Sequence, residues 1–377
     1  MNTQYLQFKD LIKEVDIRNT SGSISDLWGV SIDKKFIRSV ANIIGTDLTK
    51  YKVVKQNQFV CSLMRVSRDE KIPIDRWNGE AEIIVSPAYK VFEVKDDNIV
   101  LPEYLNLWFR RSEFDREASY YGVGGVRGSL EWEDFCEMAL PVPLLAEQQE
   151  IVDAYNDIER RIALKRKIND NLEAQLTVFY HQFFDKDKDN ICTIGDFGEI
   201  VGGATPSTEN PKYFCKQGIS WLSPKDLTAT GFKFIYKGET DITEEGYRSC
   251  STKLLPIGSV LLTSRAPVGT VAIAMNELCT NQGFKSIIPR KEIGTEFVYY
   301  FLKENKQLLD NYSSGTTFME ISGNVLKNIP AFYPNEISAS NFRNVCKKVF
   351  EEQILIEKEL RELNAAKTIL TTQLSRR

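Results

Sequence analysis

The sequence predicts an α+β protein: two globular domains of mixed α and β structure, separated by two long helices that form an antiparallel coiled coil. Three observations carry that expectation. A long amphipathic segment occurs twice, about half the chain apart. A proline-rich step leads into each copy. The stretches upstream of the two copies also correspond, so the whole chain reads as an internal repeat.

The helices come first. Stepping from Ile151 alternately by four and three residues gives Ile151, Tyr155, Ile158, Ile162, Lys165, Asn169, Leu172, Leu176, Phe179 and Phe183. The positions 191 residues further on are Phe342, Cys346, Val349, Gln353, Ile356, Leu360, Leu363, Lys367, Leu370 and Leu374. A stripe at this spacing seeks a partner stripe, and the nearest one belongs to the other helix of the same chain. The expected seam is Ile151, Tyr155, Ile158, Ile162, Leu172, Leu176, Val349, Ile356, Leu360, Leu363 and Leu370. Lys165, Asn169, Gln353 and Lys367 interrupt the stripe, either as register marks or as positions facing solvent or a partner protein. Each helix of about 35 residues would span roughly 50 Å, a rod able to separate two domains. In "LPVPLLAEQQEIV" (140–152) the prolines hold the backbone extended until about Ala146. In "IPAFYPNEISASNF" (329–342) Ser338 or Ser340 can cap the second helix.

The domains follow from the flanks. "YKVVKQNQFVCSLMRV" (51–66) matches "TKLLPIGSVLLTSRAP" (252–267), each with a strand-like run followed by an arginine. "LPEYLNLWFRRSEF" (101–114) matches "GTEFVYYFLKENKQ" (294–307), both amphipathic helices. "YYGVGGVRGSLEWEDFCEMALPVP" (120–143) matches "NYSSGTTFMEISGNVLKNIPAFYP" (311–334). The expected organisation is a first domain over 1–142, a long helix over 143–184, a second domain over 185–335 opening on a short linker (185–192), and a second long helix over 336–377.

Composition narrows the function. The chain has 377 residues and a net charge of −4, so it is no bulk polycation; nucleic acid would be met through local patches. No apolar run approaches membrane-spanning length and the start resembles no signal peptide, which points to the cytoplasm and away from a membrane. The seven cysteines form no C-x-x-C pair, which argues against a disulfide framework or zinc ribbon. His181 is the one histidine and lies far from any nucleophile signature. There is no phosphate-binding G-x-x-x-x-G-K-[ST] loop and no G-x-G-x-x-G turn. An Asn/Asp-Pro-Pro-aromatic segment, the adenine-flipping signature of amino-methyltransferases, is also missing. Pro73 and Asp75 ahead of Glu93, Val94 and Lys95 imitate a metal-dependent nuclease cluster. The alternation instead reads as an edge strand, with Phe92 and Val94 inward and Glu93 and Lys95 outward.

These pieces, in this order, resemble the DNA-specificity subunit of type I restriction–modification systems. "LPVPLLAEQQEIV" looks like the boundary between that family's first target-recognition domain and its central conserved helix, and "KRKINDNLEAQLTVFYHQFF" (165–184) like the end of that helix. "GEIVGGATPSTENPKYFCKQGISWLSPKDL" (198–227), "LLTSRAPVGTVAI" (261–273), "TNQGFKSIIP" (280–289) and "SSGTTFMEIS" (313–322) resemble its second recognition domain. The resemblance implies a non-catalytic subunit that reads a bipartite site on double-stranded DNA. It implies two modification subunits carrying S-adenosylmethionine, which methylate adenine, and restriction subunits that use ATP and Mg for translocation and cleavage. No cofactor is expected in this chain itself. An autonomous DNA-modifying enzyme and a coiled-coil scaffold that binds no DNA remain the alternatives.

DNA recognition needs cations on phosphates and polar side chains on base edges. The candidates in the first domain are Arg65, Arg68, Lys71, Arg76, Lys90 and Arg127, the last in a Gly-Gly-Val-Arg-Gly loop. In the second they are Gly202, Gly203, Thr205 and Ser207 of a flexible hydroxyl-rich loop, with Lys225, Arg265 and Lys285. For each charged residue a solvated surface position is the competing reading. Trp77, Trp132, Tyr213 and Trp221 could stack on bases, although core packing suits them better.

Overall fold

The computed structural model describes residues 4–40, 45–124, 128–265, 267–313 and 319–374. The chain divides into two compact units. The first comprises residues 1–163 and 362–377, the second residues 164–361. Each therefore holds one globular part and a stretch of both long helices.

In the first unit, β1 (Gln4–Gln7), α1 (Phe8–Leu11) and β2 (Ile12–Glu14) lead into β3 (Leu27–Val30) and β4 (Phe36–Arg38). Then come β5 (Lys52–Val54), β6 (Phe59–Cys61), α2 (Val66–Asp69), β7 (Ile74–Arg76), β8 (Ile83–Val85) and β9 (Lys90–Val94). α3 (Pro102–Phe109), α4 (Ser112–Tyr121), α5 (Trp132–Glu137) and β10 (Ala139–Val142) lead to α6 (Leu145–Phe184). One sheet has the order β2-β9-β6-β7, the other β4-β3-β8-β5, and β1 pairs antiparallel with β10. Among the described residues of this unit the strand pairs are antiparallel except β3 with β8.

Residue alternation in the β2-β9-β6-β7 sheet builds a core on each face. Phe59, Cys61, Phe92 and Val94 join Phe8, Phe109, Phe114 and Phe135 in the larger core, while Val60 and Val91 join Val30, Val54, Ile83 and Val85 in the smaller. Phe59 and Phe92 stack at 5.0 Å. The period of two sends alternate side chains into the two cores. The expectation for β9 is thus corrected in one respect: it is a central strand, paired with both β2 and β6. Glu93 is held by Lys13 at 2.9 Å and by Gln58 at 2.8 Å. Asp75 is held by Arg110 at 2.9 Å. The nuclease-like pattern is a set of structural ion pairs.

The second unit repeats the plan. It has β11 (Ile191–Thr193), β12 (Gly198–Gly202), β13 (Phe214–Cys215), β14 (Ile219–Leu222), α7 (Pro224–Thr230), β15 (Phe234–Ile235), β16 (Thr240–Ile242) and α8 (Glu244–Arg248). It continues through β17 (Val260–Leu262), β18 (Val271–Ala274), β19 (Cys279–Thr280), β20 (Lys285–Pro289), α9 (Thr295–Glu304), α10 (Lys306–Tyr312), α11 (Gly323–Lys327) and β21 (Pro330–Phe332) to α12 (Glu336–Gln373). Its sheets are β12-β20-β17-β18-β15 and β13-β16-β14-β19, and β11 pairs antiparallel with β21. Val260, Leu262 and Ile273 enter one core, Leu261, Ala272 and Ala274 the other. The parallel pair β14–β19 corresponds to β3–β8.

The long helices begin 191 residues apart, at Leu145 and Glu336. The second cap differs from expectation. Asn335 Oδ1 accepts from the backbone N–H of Ile337 at 2.9 Å and of Ser338 at 3.4 Å, so Asn335 caps α12 and the two serines lie inside it. Within each unit the helices pair antiparallel. In the first, Lys367 reaches Glu159 at 2.6 Å; in the second, Lys165 reaches Glu359 at 2.7 Å and Gln353 reaches Glu173 at 3.2 Å. Three of the four polar interruptions thus pair across the helices of their own unit. Asn169 leaves its Oδ1 buried without a partner. Ile151, Tyr155, Ile162, Leu176, Ile356, Leu360 and Leu363 are buried, and Ile158, Leu172, Val349 and Leu370 half-buried. Phe179, on the expected stripe, is 39% exposed, and Tyr180 is buried in its place. Past Leu176 the inward positions follow steps of four to Tyr180 and Phe184, as 3.6 residues per turn overtakes a strict 3.5 repeat.

Candidate nucleic-acid interface

In the second unit four separate segments meet on one surface. The chain after β12 is tied to the end of β19, where the β19–β20 loop begins, by Ala204 N–H donating to Thr280 O at 2.9 Å. That loop is tied to the segment after β17 by Ser264 N–H to Gly283 O at 2.8 Å. The segment before α11 joins through Ile321 N–H to Ser264 O at 3.0 Å. Backbone bonds therefore fix where Thr205, Arg265, Gln282, Lys285 and Glu320 emerge.

Two of the expected cations belong to this surface. Arg265 Nε lies 3.0 Å from Glu320 Oε2. Lys285 Nζ lies 3.9 Å from Glu320 Oε1, and burial lowers its pKa, with Glu320 opposing and Arg265 assisting. Thr205 Oγ1 donates to Gln282 Oε1. Ser207 is exposed. Lys225, one residue after the Pro224 that abuts Gly283, is exposed and 3.5 Å from Glu239. The two glycines differ from the expected flexible pair. A Cβ on Gly203 would sit 2.1 Å from Asn281 O and 2.2 Å from Thr280 O, so this residue permits close backbone packing. Gly202 ends β12 with room beside it. Trp221 is engaged in support, its Nε1 donating to Ala204 O at 3.0 Å. Tyr213 is half-buried at the end of a short 3₁₀ turn.

The first unit offers the equivalent surface with different side chains. Leu130 N–H donates to Leu63 O at 2.9 Å, the counterpart of Ile321 to Ser264. Lys90 and Lys285 both begin the strands that follow in the central sheets. Lys90 is 2.8 Å from Glu14, and its ammonium lies 5.2 Å from the Trp132 ring centroid. Arg65 is exposed, in left-handed backbone at φ 60°. Arg68 is exposed and 3.3 Å from Asp69; Lys71 is 3.9 Å from Asp33. Arg76 turns inward, 2.7 Å from Glu103 with its side chain 15% exposed. Arg127 lies outside the described residues. Trp77 packs on Trp28 and Phe36, and Trp132 on Phe92 and Phe135.

The second unit's surface is anchored through a buried polar network. Lys233, 6% exposed, forms an ion pair with Glu173 of α6 and donates to Gln353 Oε1 of α12 at 2.8 Å and to Tyr300 OH of α9 at 3.1 Å. Lys303 reaches Glu173 Oε1 at 2.5 Å. Burial alone would raise the Glu173 pKa, but Lys233 and Lys303 bring it down to about 2. Glu357 accepts from the backbone N–H groups of Lys233 and Phe234 at 2.8 and 3.2 Å. In the first unit Gln148 has the comparable role. It accepts from Leu101 N–H and donates to Ile99 O and Pro143 O, each at 2.9 Å.

Sequence reasoning missed Gln282, Glu320, Lys233 and Glu173. Glu320 and Glu173 find their partners far along the chain, and no local pattern marks such a pair. Lys233, between two phenylalanines, carried the one usable signal: a cation in an apolar run needs a buried acceptor. Among the described residues no group of three or more His, Cys, Asp or Glu could hold a metal ion, and no helix is long and apolar enough to cross a membrane. His181 lies 3.2 Å from Glu304 and 3.7 Å from Asp185 at the end of α6. All seven cysteines are free thiols, three buried and four half-buried.

The fold and surface define a duplicated α+β protein, each copy a two-sheet unit carried on paired helices. The family described as type I restriction modification DNA specificity domain matches residues 34–174 and 187–339, and the chain belongs to it. It is 43% identical over 148 residues to the type I restriction enzyme MjaIX specificity subunit of Methanocaldococcus jannaschii, covering 39% of this chain and 34% of that one. It is 25% identical over 231 residues to the EcoR124I/EcoR124II specificity subunit of Escherichia coli, covering 58% and 55%. The matches thus span about a third and about half of these relatives' lengths. The crystal structure of a type I restriction-modification system S subunit from M. genitalium shares the fold, with a TM-score of 0.57 at 11% identity over 99% of this chain and 96% of that one.

Proposed function

We propose that this chain is the DNA-reading subunit of a type I restriction–modification complex, each unit recognising one part of a bipartite site. The observation that carries the reading is the repeated surface. The bonds Leu130 to Leu63 and Ile321 to Ser264 present corresponding loops in both units, with different side chains upon them. Equal scaffolds with unequal side chains suit the reading of two different short sequences.

In this reading the chain contributes no chemistry of its own and works in the cytoplasm. Two modification subunits bring S-adenosylmethionine and methylate adenine; restriction subunits bring ATP-driven, Mg-dependent translocation and cleavage. The recognition domains are 1–142 and 185–335, and the helices 143–184 and 336–377 receive the modification subunits.

Purified chain, alone and reconstituted with its modification subunits, is assayed for adenine methylation, for cleavage and for sequence-selective DNA retention at moderate salt. Methylation and selective retention are expected from the reconstituted complex only. Methylation or cleavage by the chain alone would establish an autonomous enzyme. Association with the modification subunits but no DNA selectivity would establish a scaffold.

A further inference from the structure

We infer that Arg265 is a specificity-determining residue of the second unit, reading a guanine, and that Glu320 is the positioning residue that aims it. The inference rests on the proposed DNA-reading function and names the side chains that would perform it.

The geometry is particular to this pair. Arg265 and Glu320 face each other across an isolated antiparallel bridge, next to the Ile321 to Ser264 backbone bond, so both Cα positions are fixed. The carboxylate takes the Nε edge of the guanidinium at 3.0 Å. The two terminal nitrogens then form the leading edge, a fork matching the O6 and N7 acceptors of guanine in the major groove. Arg265 and Glu320 are 45% and 36% exposed at the side chain, placed at the surface rather than in the core. Lys285 differs. Its side chain is 17% exposed, and its ammonium approaches Gln282 O at 3.5 Å and Phe284 O at 3.3 Å. It lies behind the pair and adds positive field without a forked edge.

The repeat supplies an internal comparison. Aligning the two backbone bonds places Met64 of the first unit where Arg265 stands in the second. Met64 is 56% exposed, an apolar side chain on a surface position. An apolar group there suits the methyl group of thymine and offers no guanine-specific fork. The equivalent position thus carries opposite chemistry in the two units, as expected of a position that sets what each one reads.

The test is selection from a DNA library randomised over the whole site, using the chain assembled with its modification subunits. Wild-type complex should enrich a bipartite motif whose second-unit half contains a guanine. Arg265→Ala should lose at least tenfold preference at that one base pair and leave the other half unchanged. Glu320→Gln should weaken the same preference in part, with Glu320→Asp restoring most of it. Lys285→Ala should lower affinity across all sequences without altering the motif. Thermal melting of each variant separates these outcomes from misfolding. An Arg265→Ala motif identical to wild type, from a folded complex, would overturn the assignment. Absence of any enriched motif with wild-type complex would instead overturn the DNA-reading function itself.

Discussion

The ammonium of Lys233 donates to Oε1 of Gln353 at 2.8 Å, joining a residue of the second unit's sheet region to the one polar residue of the α12 stripe that is fully buried. Glu173 of α6 completes the junction. Its two oxygens take Lys233, Lys303, Tyr300 and Gln353, so each charge in this largely buried site has opposite charge or hydrogen-bond partners. Such a site costs more to break than it contributes when whole.

Glu173→Ala should therefore destabilise the protein by about 3–5 kcal/mol, because it strands the buried Lys233 ammonium. The double change Glu173→Leu with Lys233→Met should recover part of that loss, since it removes both charges but takes from Gln353 and Tyr300 the partners they have here. Urea denaturation of the two variants and the wild type checks both statements.

The same carboxylate predicts an acid transition. Its folded pKa of about 2 lies below the ordinary 4.5, so its stabilising contribution is complete above pH 4.5 and is lost as pH falls towards 2. The contribution is on the order of 3 kcal/mol. Wild type should lose that much more stability than Glu173→Gln between pH 4.5 and 2, measured by denaturation at each pH. Parallel curves would contradict the assignment.

Gln148 shows why a glutamine stands at the entrance to the first long helix. Gln148→Ala leaves the Leu101 N–H and two carbonyl oxygens without their partner, at a cost of about 2–4 kcal/mol. Ala339, the position 191 residues on, is buried as alanine, so the second junction does not depend on such a side chain. Chemical denaturation of Gln148→Ala gives the direct comparison.

The neighbouring glycines Gly202 and Gly203 should part company. Gly203→Ala forces a methyl group against the Thr280 and Asn281 carbonyls and should cost about 1–3 kcal/mol. Gly202→Ala meets only the Lys285 side chain, at 3.8 Å, and should be neutral within about 0.5 kcal/mol. Melting temperatures of the two variants distinguish them.

The fold was largely legible because its strongest signals are periodic. The duplicated stripe located both long helices, and the 191-residue offset recurs at their first residues. The stripe misplaced Phe179, since heptad phase drifts from true helical phase over many turns. The α12 cap went to Asn335 rather than a serine because tertiary placement, through Asp187 accepting the Asn335 N–H at 2.9 Å, sets the first turn. The interface was legible only as residue types. The sequence suggested cations beside strands, and Arg265 and Lys285 do flank one surface; Arg76 has the same composition cue yet points inward to Glu103. Which cation faces out is decided by contacts made dozens of residues away, and those leave no local mark.

The central claim, that this chain determines a bipartite DNA site with one part read by each unit, is tested most directly by methylome sequencing. The chain is expressed with its modification subunits in a host lacking other adenine methylation. The account predicts methylated adenine confined to a single two-part motif, which disappears when this chain alone is omitted. Methylation that persists without the chain, or that follows one uninterrupted motif, would contradict it.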